Sequence, residues 1–118
     1  MITLKYNMRL ISKDNEKIMN RQGRYFLSAK YKKFEHDIKW LTKQQYKNGV
    51  IPGNIAMSIQ AYYTNKVHPD VPNLTKSICD ALKGEVYNDD RQIKQITLEV
   101  KEDAEENYFT VSILPLLH

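Results

Sequence analysis

The 118-residue sequence is poor in the residues that build several common kinds of site. Cys79 is its single cysteine, so no intrachain disulfide can form and a cysteine-built zinc site is not expected. Neither common glycine-rich phosphate loop is present, and we therefore expect no nucleotide cofactor. No apolar run approaches the roughly 18 residues of a membrane span. Lys5 and Arg9 come too early for a signal-peptide core, so we expect a cytoplasmic protein without a membrane segment.

Positive charge is concentrated in the first part of the chain, although the net charge is only +4. Residues 1–50 hold twelve Lys/Arg against four Asp/Glu, whereas residues 51–118 hold six against ten. A polyanion would be attracted to the first part. Lysines that solvate an exposed helix would give the same pattern, so the asymmetry alone does not identify a partner.

Hydrophobic patterning predicts the order β, β, α, β, α, β, β. A first strand lies within residues 2–10, and residues 12–23 are interpreted as a polar loop. A brief strand at 24–27 precedes a helix that Ser28 caps and that runs to about residue 47. Further predictions are strands at 55–63, 95–102 and 108–114 and a helix at about 73–83. We predict one small α+β domain, residues 1–118, with two main helices on a mixed sheet.

Two apolar stripes and one strand face supply the predicted core. Phe34, Ile38 and Leu41 lie on one side of the first helix, and the second helix has Leu74, Ile78, Ala81 and Leu82. Ile55, Met57 and Ile59 alternate along a strand, which favours the core, with a dimer interface as the alternative.

Aspartates flank the second helix at both ends. Asp70 precedes it and Asp89-Asp90 follow it, and a chain that turned back after Gly84 would bring them together. Carboxylates that converge from two loops suit Mg²⁺, which takes oxygen ligands and keeps several waters. The same residues are also common as a helix cap and as turn residues. Lys76 is expected to pair with Asp80 at i+4, and His68 to lie on the loop surface.

The segment from residue 69 to 93 resembles the signature of the RusA-type Holliday junction resolvases, Pro-Asp-x-Asp-Asn-Leu-x-Lys, Asp-Ala-Leu and Asp-Asp-x-Gln-Ile/Val. The residues in register are Pro69, Asp70, Asn73, Leu74, Lys76, Asp80, Ala81, Leu82, Asp89, Asp90, Gln92 and Ile93. Similarity extends to a Ser-x-Asn loop, here Ser12 to Asn15 with one extra residue, and to an Arg-x-Phe/Tyr-Leu-Ser element, here residues 24–28.

The resemblance implies a homodimeric endonuclease that binds four-way DNA junctions and nicks two strands symmetrically with Mg²⁺, for which Mn²⁺ is a possible substitute. It implies Asp70, Asp90 and Lys76 as catalytic residues, with Asp70, Asp90 and the adjacent Asp89 as metal ligands. A C2 dimer matches the two equivalent strands of a junction. The expected DNA-binding residues are Lys30, Lys32, Lys33, Lys39, Arg21, Arg24, Asn15 and Asn73.

One position departs from the signature. The second carboxylate of the family pattern falls on Pro72, so one of the usual acidic ligands is missing. A junction-binding protein that does not cut DNA is therefore the alternative function. A weaker alternative is a single-stranded nucleic-acid module that uses the chain's eight tyrosines as stacking platforms.

Overall fold

The computed structural model describes residues 1–13 and 17–117, and it forms one four-stranded sheet, two helices and a separate two-stranded ribbon. The four-stranded sheet contains β1 (Ile2–Tyr6), β4 (Ile55–Tyr62), β5 (Ile93–Lys101) and β6 (Tyr108–Pro115), and the ribbon contains β2 (Lys17–Met19) and β3 (Tyr25–Leu27). The helices are α1 (Ala29–Gln45) and α2 (Val71–Leu82), and a 3₁₀ turn spans Asp90–Gln92. The predicted α+β class is confirmed.

The strand order of the main sheet is β1-β6-β4-β5. β6 is antiparallel to both β1 and β4, whereas β4 and β5 run parallel, which makes the sheet mixed. Parallel neighbours need a crossover connection, and α2 supplies it. The β4-α2-β5 unit therefore places the start of α2 after one sheet strand and the Asp89-Asp90 turn before the next.

Alternate residues of β4, which lies between two other strands of the sheet, face the core. Ile55, Met57, Ile59 and Ala61 are all buried, as the sequence predicted, and they belong to the core. β5 lies at the edge, and its apolar residues Ile96, Leu98 and Val100 are only partly buried.

The two helices contact each other, and each contacts a strand of the sheet. Ser28 caps α1 as predicted, because its side chain accepts a hydrogen bond from the Tyr31 backbone N–H. Phe34 and Ile38 are buried and Leu41 is partly buried. The predicted apolar face of α2 is fully buried.

The prediction of a polar loop at residues 12–23 is wrong in part. Lys17–Met19 form β2, which pairs with β3 as an antiparallel ribbon. A strand of three residues offers too short a pattern to detect, and its apolar residues Ile18 and Met19 are exposed rather than alternating between core and solvent.

Candidate active site

Asp70 is the N-cap residue of α2, but its side chain makes no capping hydrogen bond. Its backbone carbonyl accepts from the Leu74 N–H at 3.1 Å, and Pro72 occupies the first turn, where a missing N–H costs nothing. The residue is exposed. Within the described chain, the Asp70 carboxylate is therefore not engaged by a cap and remains accessible to a ligand.

The loop that leads into Asp70 is held by contacts that the sequence did not predict. Arg9 donates to the Val67 carbonyl at 2.8 Å, and its guanidinium lies 4.8 Å from the centre of the Tyr63 ring. His68, expected on the loop surface, has Nε2 2.9 Å from a Glu102 carboxylate oxygen and stacks on Tyr63. The contacts made by Arg9 and Glu102 join residues far apart in the chain, and no local sequence pattern signals them.

Asp89 and Asp90 open the 3₁₀ turn, and a capping box fixes its geometry. The Asp89 side chain accepts from the Arg91 backbone N–H, while Gln92 Oε1 accepts from the backbone N–H groups of Asn88 and Asp89 at 2.9 and 3.0 Å. Gln92 Nε2 donates to the carbonyl oxygens of two loop residues before β4, Ile51 and Gly53, at 2.7 Å each. The signature glutamine thus anchors the aspartate turn to the rest of the fold.

The two neighbouring aspartates have different surroundings. Arg91 contacts both carboxylate oxygens of Asp89, with distances between 2.9 and 3.3 Å, and these bonds lower the Asp89 pKa to about 2. Asp90 is exposed, and its Oδ1 lies 3.3 Å from the Tyr87 hydroxyl. Asp90 is consequently the more accessible of the pair, and a metal at Asp89 would compete with Arg91.

Tyr87 joins the aspartate turn to the last turn of α2. Its hydroxyl donates to the Cys79 carbonyl oxygen at 2.5 Å, and burial raises the pKa of this hydroxyl. Burial, followed by the charges of Asp90 and Asp80, raises the pKa of the Cys79 thiol to about 11. Cys79 is therefore protonated near neutral pH, as expected of an unreactive thiol.

The structure associates Asp90 with the last turn of α2, whereas Asp70 begins its first turn. Residue 79 lies nine positions beyond Asp70, which is about 13 Å along the axis at 1.5 Å per residue. In the described part of the chain, no three His, Cys, Asp or Glu residues are grouped so that they could hold a metal ion. The two candidate ligands are both accessible, and no residue at 1–13 or 17–117 is seen to bond both carboxylates.

Asp80, for which the i+4 spacing predicted pairing with Lys76, forms an ion pair with Lys13, whose Nζ lies 3.6 Å from Asp80 Oδ2. The Lys13 backbone N–H also donates to the buried Ser77 hydroxyl at 3.0 Å, so the loop after β1 is fixed along α2. Lys76 is exposed on the second turn of the helix. The Asp80–Lys13 pair gives Asp80 a structural role.

The expected DNA-binding residues lie on three elements. Lys30, Lys32, Lys33 and Lys39 belong to α1, Asn73 to the first turn of α2, and Arg21 and Arg24 to the turn between β2 and β3. Lys33 also bonds Asp37, which offsets part of its charge. Asn15 lies outside the described residues.

Half of the eight tyrosines are structural. Tyr6, Tyr31, Tyr63 and Tyr87 are fully buried. Tyr62 and Tyr108 stack on each other with ring centres 4.2 Å apart. Tyr25, by contrast, is exposed, on the ribbon. Most of the tyrosines are therefore unavailable for stacking on nucleobases.

The fold and the signature can be compared with known protein families. In the described residues, no helix has both the length and the apolar composition needed to cross a membrane. No curated protein sequence matches the chain. The family described as endodeoxyribonuclease RusA matches residues 7–113, which include every candidate residue discussed above. The chain therefore belongs to the RusA endodeoxyribonuclease family.

Proposed function

We propose that the protein is a structure-selective endonuclease that resolves four-way DNA junctions by symmetric hydrolysis of two phosphodiester bonds. The observation that carries the proposal is the family match over residues 7–113, together with the accessible Asp70 and Asp90 within its signature. Endodeoxyribonuclease activity follows from the family, and selectivity for junctions is the narrower part of the proposal.

Each candidate carboxylate taken singly has the donor chemistry that suits Mg²⁺, or Mn²⁺ in its place. Asp70 and Asp90 offer accessible carboxylate oxygens, and Mg²⁺ commonly binds to one or two protein carboxylates, with water and substrate phosphates completing its shell. Asp89 is a third candidate that is already bonded to Arg91. When bound, the ion would lower the pKa of a coordinated water and offset charge on the scissile phosphate.

Residues of the chain itself supply the remaining functions. Lys76, exposed on α2, would place a positive charge beside the phosphate or the departing 3′ oxygen. Asn73, one turn earlier on the helix, would donate a hydrogen bond to the DNA backbone. Hydrolysis of a phosphodiester depends on positioning and charge compensation, which these side chains provide without a covalent nucleophile.

The α1 lysines would hold the arms of the junction through phosphates, and Arg21 and Arg24 would extend this contact. Each phosphate contact releases counterions, so we expect affinity to fall steeply with salt. A C2 homodimer would present two equivalent sites to two equivalent strands and so explain paired nicks.

Pro72 favours a second candidate function, a junction-binding protein that does not cut. Pro72 is exposed in the first turn of α2, at the position where the family pattern has a carboxylate. Loss of that ligand removes one metal contact and leaves the basic surface intact.

Asp90→Asn separates the two functions, because it removes a charge from the aspartate turn without changing its size. For the endonuclease, we expect loss of nicking with junction affinity retained in gel-shift titrations. Absence of nicking in both wild type and Asp90→Asn, with tight binding in both, supports the binding protein instead.

A further inference from the structure

The ribbon formed by β2 and β3 has apolar side chains on both faces. Ile18 is opposite Phe26, and Met19 is opposite Tyr25. Directly opposed residues of antiparallel strands share a face, and successive residues alternate between faces. Ile18 and Phe26 are 44% and 45% exposed, and Met19 and Tyr25 are 55% and 66% exposed. Each face of the ribbon is therefore only partly covered by the described chain.

A two-stranded ribbon of this kind does not stabilise itself by burying a face. Isolated two-stranded hairpins are marginal in water, and apolar side chains exposed on both faces are candidates for contact with a partner. Within the described residues, β2 pairs only with β3. The ribbon is therefore a candidate interaction surface.

Charge identifies the class of partner. The ribbon and its turn, residues 17–27, contain three Lys/Arg and no Asp/Glu. Arg21 and Arg24 are exposed at the turn between the strands. A second copy of the ribbon would bring the same charge against it, whereas a polyanion complements it. Exposed aromatic rings beside arginines are the combination with which proteins bind unpaired nucleic acid.

The turn between the strands is organised by its own backbone. The Asn20 side-chain oxygen accepts hydrogen bonds from the N–H groups of Gln22 and Arg24 at 3.0 and 2.9 Å. Gly23 has φ of 77°, a conformation that glycine adopts without strain. Because the backbone of the turn is already ordered by these bonds, less backbone freedom is lost when the two arginines bind a ligand.

We propose that Tyr25 and Phe26 stack on exposed nucleobases at the branch point of a DNA junction, with Arg21 and Arg24 on the neighbouring phosphates. This rests on the proposed function and names the part of the substrate that the ribbon contacts. Bases inside a duplex present only their edges, whereas a branch point exposes base faces. The two faces of the ribbon carry one aromatic ring each, which suits insertion between two such bases.

A junction with 2-aminopurine at the branch point tests the proposal without cleavage, in buffer that contains a metal chelator. We expect wild-type protein to change the 2-aminopurine fluorescence on binding, and to leave the signal of a probe inside one arm unchanged. Phe26→Leu and Tyr25→Leu keep apolar side chains but remove the rings, and each should weaken binding on the order of tenfold and reduce the branch-point signal. Phe26→Tyr keeps the ring and should retain both.

Arg24→Gln gives a separate readout. It should reduce the slope of log affinity against log salt by about one while the fluorescence change at saturation persists. Circular dichroism melts of each variant would establish that it is folded.

Wild-type affinity and fluorescence in Phe26→Leu and Tyr25→Leu would overturn the proposal. It would also be overturned if these substitutions changed the sedimentation of DNA-free protein and not the branch-point signal, because the ribbon would then join two copies of the chain. Nicking of the same junction with Mg²⁺ is scored independently. Nicking without a branch-point signal refutes the ribbon proposal alone, and a signal without nicking refutes the endonuclease alone.

Discussion

The hydroxyl of Tyr87 lies 3.3 Å from Oδ1 of Asp90, and the same hydroxyl donates to the Cys79 carbonyl on the last turn of α2. The exposed carboxylate of Asp90, a candidate catalytic residue, thus lies beside a fully buried residue. We expect this contact, together with the backbone turn, to influence the position of Asp90 relative to α2.

Tyr87→Phe removes the hydroxyl and keeps the ring. We expect the free energy of unfolding to fall by about 1 kcal/mol, the usual contribution of one hydrogen bond. We also expect the nicking rate to fall several-fold while junction affinity is unchanged, because the loss affects the placement of Asp90 and not the basic surface. Tyr62→Phe is the matched control, since the Tyr62 hydroxyl bonds Gln60 on β4. Equal effects of the two substitutions on nicking would contradict the positioning role.

Gln92→Glu tests the anchor of the aspartate turn. The substitution places a carboxylate oxygen where Nε2 donates to the carbonyls of Ile51 and Gly53, so two bonds are replaced by repulsion. We expect a loss of about 2 kcal/mol in the free energy of unfolding, measured by urea titration. Gln95→Glu makes the same change at an exposed position of β5 and should stay within about 0.5 kcal/mol of wild type. An equally large loss of unfolding free energy in Gln95→Glu would show that the added charge, and not the loss of hydrogen bonds, destabilises the protein.

The Asp89–Arg91 pair predicts a specific pH dependence. The folded pKa of Asp89 is about 2, below its ordinary value of 3.8, because Arg91 bonds the ionised form. A lowered folded pKa stabilises the fold above the unfolded pKa, and this contribution is lost as the pH falls through about 2. An NMR titration of the Asp89 carboxyl carbon should show the low pKa, and in Arg91→Gln the pKa should return toward 3.8. An unchanged titration in Arg91→Gln would show that Arg91 is not the cause.

The sequence predicted most of the fold because the patterns involved are local. The apolar spacing of Leu74, Ile78 and Leu82 and the cap at Ser28 are readable from a few neighbouring residues. The ion pair of Asp80 with Lys13 joins residues 67 positions apart in the chain, so the sequence instead suggested the nearby Lys76. The contact of Tyr87 with α2 was also not predictable from the sequence, because its main partner is a backbone carbonyl, which every residue has.

Pro72→Asp restores the carboxylate that the family pattern places two residues after Asp70. We expect the Mg²⁺ concentration for half-maximal nicking to fall on the order of tenfold, because ligand charge tunes the affinity of such sites. Val71→Asp adds the same charge one residue earlier, also at an exposed position, and should leave the Mg²⁺ dependence near that of wild type. The same shift in both variants would attribute the effect to charge near the start of α2 rather than to ligation.

We infer that the chain cuts DNA junctions with Asp70 and a divalent metal. The most direct test is to incubate the purified protein with a four-way junction labelled on each strand in turn, with Mg²⁺ or with chelator, and to compare wild type with Asp70→Asn on denaturing gels. We expect paired nicks at symmetric positions in wild type with Mg²⁺, and none with chelator or in Asp70→Asn. Tight junction binding without nicks in wild type, or nicks that persist in Asp70→Asn, would exclude this role of Asp70 in cleavage.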